Sequence, residues 1–225
     1  MQFSNVSISL GDQPILVDVN FDFPMNELVW ISSKKNGAGK STVLQILAGL
    51  QFPDLGNFYV NGLDVSSLSF DEFLPYRMRI GYGFDIGGLI HNRSLLENLK
   101  LPLNYHRINA RHEAEEIAMA LLSHFQIEKF KNLRPSDVPV SIRKLTVLLR
   151  SLILQPQVLL WDDPTVGLSD ETAQRLFAFV KQKKSLSILI ASHDEKIMNQ
   201  LKAQKIILDE YKLFDAFQPR KVVGL

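Results

Sequence analysis

The chain has 225 residues, 46% of them apolar, and a formal net charge of +1. That length suits one large domain or a domain with a subdomain, with apolar content enough for a substantial core. The balanced charge gives no sign of a general polyanion partner, and the absence of cysteine excludes disulfides and thiolate metal sites.

No apolar stretch reaches the roughly 18 residues that span a bilayer. Residues 146–161 come nearest, but Arg150, Gln155 and Pro156 interrupt them. Residues 1–5 lack the basic and apolar regions of a secretory signal. A soluble or peripheral protein is expected, cytosolic if it uses ATP.

In chain order, residues 3–10 and 15–23 alternate and predict an antiparallel hairpin turning at Gly11, Asp12, Gln13 and Pro14. The apolar run Leu28-Val29-Trp30-Ile31 predicts a strand, and residues 42–50 an amphipathic helix closed by Gly49. Residues 53–56 form a turn, and Asn61-Gly62 after 57–60 marks a second hairpin. Residues 79–84 predict a short strand. Residues 87–139 read as a helical insert between two α/β segments, 1–86 and 140–225. Within the insert, Ala114, Ile117, Ala118, Leu121 and Leu122 carry helical spacing over 110–125. A further helix is predicted over 141–154, ended by Pro156. Residues 158–161 are wholly apolar, as in a buried parallel strand. Ser169 is the expected cap of a helix over 170–183, with Lys181, Lys183 and Lys184 as its solvated basic end. A parallel strand over 186–191 and a final hairpin over 204–208 and 211–214 complete the reading.

Between the strand at 28–31 and the helix that follows lies Lys35-Asn36-Gly37-Ala38-Gly39-Lys40-Ser41-Thr42. Glycines let backbone curl around a phosphate, and exposed N–H groups at a helix start favour negative charge. Lys40 is then suited to the β- and γ-phosphates and Ser41 to Mg²⁺. This is a phosphate loop of the Walker A type, except that Lys34 stands where its first glycine belongs. Asp162 and Asp163 end the apolar strand over 158–161, where ligands sit in open parallel sheets. Asp162 is the candidate Mg²⁺ ligand, and Asp163 the candidate to orient an attacking water. His193 follows another strand end and is a third candidate; Asp194 is the expected cap of the next helix.

Taken together, the phosphate loop, the 53–64 hairpin, Ile80-Gly81-Tyr82-Gly83-Phe84-Asp85, the 158–168 segment and Ala191-Ser192-His193-Asp194 resemble the ATP-binding cassette family, the nucleotide-binding subunits of ABC transporters, over essentially the whole chain. The resemblance implies an α/β P-loop NTPase of ABC type: a central, mostly parallel sheet, an antiparallel N-terminal β subdomain and an inserted helical subdomain. It also implies an ATPase that uses ATP and Mg²⁺, pairs with a second ABC subunit, and sits on the inner face of the membrane through a separate integral membrane permease. It does not imply a nucleic-acid partner. A narrower resemblance, carried by Ile142-Arg143-Lys144, Phe84 with Gly87-Gly88-Leu89, and Leu96-Glu97-Asn98 with Pro102-Leu103, is to lipid-trafficking ABC ATPases that serve MCE-type phospholipid systems.

The chain departs from the family pattern near the γ-phosphate and the subunit seam. Asp85 replaces a glutamine that senses the metal, so Asp85 is a third candidate metal ligand. Asp163 replaces a catalytic glutamate. The signature segment becomes Val138-Pro139-Val140-Ser141-Ile142, in which Pro139 lacks an N–H and Val140 carries a side chain; Ser141 is expected to cap the following helix. Ser169 replaces an aspartate, with Asp170 one place late, and Leu10 stands where an aromatic residue stacks on adenine. Slow hydrolysis is the expectation, either in a tolerant homodimer or in a heterodimer whose partner supplies an intact signature. The alternative is a regulatory subunit that binds nucleotide and hydrolyses little.

Overall fold

The computed structural model describes residues 1–35, 37–106, 111–183 and 185–216. Its elements begin β1 (Gln2–Leu10), β2 (Gln13–Asp22), β3 (Leu28–Ser32), α1 (Lys40–Leu47), β4 (Leu55–Val60), β5 (Leu63–Asp64), α2 (Phe70–Arg77) and β6 (Ile80–Gly83). They continue α3 (Leu95–His106), α4 (Arg111–His124), α5 (Val140–Leu152), β7 (Val158–Asp162), α6 (Asp170–Lys181), β8 (Ser187–Ala191), α7 (Glu195–Gln200), β9 (Gln204–Asp209) and β10 (Lys212–Asp215). Two compact units share them: Met1–Arg77 with Ser187–Leu225, and Met78–Leu186.

In the first unit an antiparallel sheet runs β2-β1-β4-β5. Leu10 pairs with Gln13, so the first turn is two residues long, shorter than expected. Asn61 and Gly62 have φ of 51° and 78°, as a type I′ turn requires. Phe3 meets Phe23 and Phe58 edge-on at 5.0 and 5.9 Å, which fills the buried face of this sheet. The parallel strands of this unit centre on β3, which pairs with β8 on one side and β9 on the other. All five β8 residues are buried. Apolar runs without alternation suit strands covered on both faces. Helix α2 went unread in the sequence; Pro75 inside it and a weak apolar pattern hide it.

In the second unit β6 and β7 run parallel, from Ile80↔Val158 to Gly83↔Trp161. Two glycines let α5 pack closely on β6. A Cβ on Gly81 would lie 2.1 Å from the Ser151 carbonyl oxygen, and one on Gly83 would lie 2.8 Å from Leu148 Cδ2. Trp161 is fully buried and donates its indole N–H to Ser151 Oγ at 2.9 Å. Leu148, Leu149, Leu159 and Leu160 are also fully buried, each worth roughly 1.5–3 kcal/mol. On α4 the expected stripe holds: Ala114, Ala118 and Leu122 are fully buried. The start predicted for that helix, Ala110, lies outside the described residues, as does Lys184 of the predicted basic end.

Two boundaries are corrected. Helix α1 starts at Lys40, two residues before the expected start, because Gly39 already turns the chain at φ 101°. Helix α5 starts at Val140, with Pro139 in the capping position at φ −55° and ψ 153° and no side-chain cap bond. Ser141 is therefore inside the first turn and is not the cap. Proline's fixed φ suits the residue that leads into a helix. The cap expected of Ser169 is present, since its side chain accepts from the Thr172 N–H.

Helix α3 opens with a reciprocal pair of bonds. The Ser94 N–H donates to Glu97 Oε2 at 2.8 Å and the Glu97 N–H to Ser94 Oγ at 3.2 Å. Bonds from Ser94 hold the Glu97 carboxyl below its usual range. A carboxyl lowered in the folded state stabilises above its unfolded value of 4.5, and that contribution disappears as pH falls through the lowered value. Ser94→Ala is expected to cost about 1 kcal/mol, measured by urea denaturation at neutral pH, with the difference from wild type shrinking as pH falls through the lowered Glu97 value.

Candidate functional site

In the first unit, the segment after β3 is shaped by two glycines. Gly37 and Gly39 have φ of 71° and 101°. A Cβ on Gly39 would also strike Ile15 Cγ2 at 2.2 Å, so that position needs glycine for space as well as for conformation. Ser33 Oγ donates to the Lys35 carbonyl at 2.8 Å and so folds the entrance of the loop. Lys40, only 6% exposed, opens α1. Its ammonium donates to Ser33 Oγ at 3.2 Å and lies 2.7 Å from His193 Nε2. An ammonium has no lone pair with which to accept, so Nε2 accepts and the imidazole proton sits on Nδ1. Ser41 is half-buried and Thr42 buried in the first turn, while Lys35 is exposed. Asn36, one of the expected phosphate-binding residues, lies outside the described residues.

His193 is held from behind. The Trp30 indole N–H donates to the Ser192 carbonyl at 2.8 Å, and the Ser192 N–H to the Ile31 carbonyl at 3.3 Å. Asp194 accepts from the Ile197 N–H at 3.0 Å and caps α7. Lys40 and His193, from segments 153 positions apart, are thus brought together. A cavity of about 510 Å³ opens beside the loop, lined by Lys35, Gly37 and Ala38 among others. Leu10, at the end of β1, is 54% exposed.

In the second unit, Asp162 ends β7 and is buried, and Asp163 follows at φ 40°. A left-handed non-glycine residue is uncommon and marks a constrained turn. Lys144 of α5, which sequence reasoning missed as a site residue, reaches this point. Its ammonium donates to the carbonyls of Phe84 (3.2 Å), Asp85 (2.9 Å) and Asp162 (3.2 Å) and pairs with Asp85 Oδ1 at 3.3 Å. Burial pushes the Lys144 ammonium pKa down, opposed by Asp85, Asp162 and Asp163. Lys144 thereby joins the ends of β6 and β7, and it brings Asp85 and Asp162 to one cation.

Mg²⁺ takes one or two carboxylates, water and phosphate oxygens. The carboxylate of Asp162, at the end of a buried strand, fits that donor set. The Asp85 carboxylate is already offset by an ammonium. In the signature segment, Val138 and Ser141 sit either side of Pro139 and the 61%-exposed Val140, and Ile142 packs against the cluster of Leu89, Leu95, Val138 and Val147. Ser169 and Asp170 open α6.

The family model described as ABC transporter matches residues 16–166. The chain belongs to the ABC transporter family. This cassette is 28% identical over 214 residues to the cell division ATP-binding protein FtsE of Haemophilus influenzae, covering 93% of this chain and 97% of that one. It is 29% identical over 184 residues to the methionine import ATP-binding protein MetN of Bartonella henselae, covering 80% of this chain but 53% of MetN. Among solved structures it matches a dimeric, post-hydrolysis ATP-binding cassette, MJ0796, bound to ADP and Pi. That match has a TM-score of 0.85 and 25% identity, and covers 100% and 99% of the two chains. The α/β fold expected of an ABC cassette is therefore the fold observed. Among the described residues, no helix of this cassette is long and apolar enough to cross a membrane.

Proposed function

We propose that this cassette is the ATPase subunit of an ABC transporter, coupling ATP-driven closure of a cassette dimer to a separate membrane permease. The observation that carries this reading is Lys40, buried at the head of α1 behind two left-handed glycines and 2.7 Å from His193. Residues 35–42 bind the triphosphate, Ser41 and Asp162 hold Mg²⁺ when it is bound, and that ion neutralises phosphate charge. Asp163 orients water and His193 contacts the terminal phosphate. Asp85 adds a carboxylate near the metal. We read 87–139 as the helical subdomain and the 85–98 region as the permease contact, which the 87% exposure of Ile86 supports.

A second reading, of a weakly hydrolysing subunit in a heterodimer, is favoured by Pro139 and Val140. A proline at the head of α5 offers no N–H to a phosphate across the seam, and each such charge-assisted bond is worth roughly 1.5–3 kcal/mol. The narrower resemblance supports phospholipid as the cargo. Purification from membranes with identification of co-eluting chains tests all of these. An integral membrane permease, and a second cassette in the heterodimer case, are expected to co-elute. Full-speed hydrolysis by the isolated cassette would sink the heterodimer reading.

A further inference from the structure

The turn between β9 and β10 is built from Glu210 and Tyr211, with φ of 47° and 66°. Two successive positive φ values make the mirror-image hairpin turn, which favours Asn-Gly. A bulky aromatic in the left-handed region is an outlier, and such outliers persist where the surroundings hold them. Asp209 pairs with Lys212 across the turn, and the Val17 N–H donates to the Tyr211 carbonyl at 3.1 Å. Tyr211 is 49% exposed, so no core burial accounts for an aromatic ring there.

Tyr211 lines the cavity of about 510 Å³ whose wall includes Lys35, Gly37 and Ala38 of the loop. Ile15 and Pro14 add apolar surface, and Asp209 and Glu210 add carboxylates that accept hydrogen bonds. A cavity of this size, bordered by a phosphate-binding backbone and carrying one aromatic ring, suits a flat heterocycle attached to a phosphate chain. Aromatic stacking on a nucleobase is a strong, sequence-tolerant contact.

We propose that Tyr211 is the base-stacking residue of this cassette's nucleotide site, its strained turn being retained to hold the ring against the base. This rests on the reading of residues 35–42 as the phosphate loop.

The test is calorimetric titration of ATP and of inorganic tripolyphosphate into wild type, Tyr211→Phe, Tyr211→Ala and Tyr211→Gly. Loss of stacking is expected to weaken ATP about tenfold in the alanine and glycine variants. Tripolyphosphate affinity is expected to stay unchanged in both, and Tyr211→Phe to bind ATP as wild type does. Tyr211→Gly is expected to melt a few degrees higher, because glycine relieves the turn. Equal ATP affinity in all four proteins overturns the proposal and leaves the phosphate loop standing. Equal weakening of both ligands in the alanine variant assigns the effect to the loop and overturns stacking. If wild type binds neither ligand, the phosphate-loop reading itself has failed, and the stacking role with it.

Discussion

Lys40→Ala is expected to weaken ATP binding by roughly 10- to 100-fold, the value of a charge-assisted contact to phosphate, and to reduce hydrolysis by about 100-fold or more. The lysine's position explains why the loss is mainly functional. Its ammonium is 2.7 Å from His193 Nε2 and 3.2 Å from Ser33 Oγ, both uncharged acceptors. A buried ammonium costs desolvation energy, so its removal relieves that penalty while losing the hydrogen bonds to His193 and Ser33. The two effects oppose one another, and the melting temperature is expected to stay within a few degrees of wild type. Calorimetry with ATP and a phosphate-release assay check both halves. Binding within twofold of wild type would place the triphosphate elsewhere and remove the basis of the functional reading.

The loop was legible in the sequence because its signal is local. A strand, two glycines and a helix within fifteen or so residues fix both backbone shape and chemistry. The ladder from Leu28 to Ser32, the left-handed Gly37 and Gly39, and Lys40 at the helix start all follow from that string. The cap formed by Ser169 was legible for the same reason. Contacts made across many residues were not. Lys144 meets Phe84 and Asp85 some sixty positions away. The one available clue was its spacing: Lys144 lies four residues before Leu148, on the buried stripe of α5, where a lysine is out of place. Glu-Tyr carries no turn signal, so the sequence predicts strand at Tyr211, whereas its φ of 66° comes from the hairpin geometry. Serine is the commoner helix cap, so the sequence predicts that α5 opens at Ser141, whereas the backbone of Pro139 already leads into the helix.

Lys144→Met is expected to be the most destabilising single change at the site, at about 3 kcal/mol. The methionine matches the lysine's length but removes from the carbonyls of Phe84, Asp85 and Asp162 the ammonium donor that now stands 2.9–3.2 Å away. A buried acceptor that loses its partner costs about 1–3 kcal/mol. Relief of the ammonium's own desolvation, which pushes the Lys144 pKa down, offsets part of that sum. The ion pair with Asp85 contributes less, because the Asp85 side chain is 37% exposed and its charge is screened by water. Asp85→Asn alone should therefore cost under about 1 kcal/mol. The double variant should remain close to Lys144→Met, with little recovery. Denaturant unfolding of the three variants separates the contributions. If the double variant regained most of the lost stability, the carboxylate rather than the carbonyls would be the partner that matters. In the expected outcome, Lys144 acts as a clamp across the ends of β6 and β7. Because Lys144 also bonds the backbone carbonyl of Asp162, the proposed Mg²⁺ role of Asp162 predicts that Lys144→Met weakens Mg²⁺-dependent ATP binding more than binding measured in EDTA.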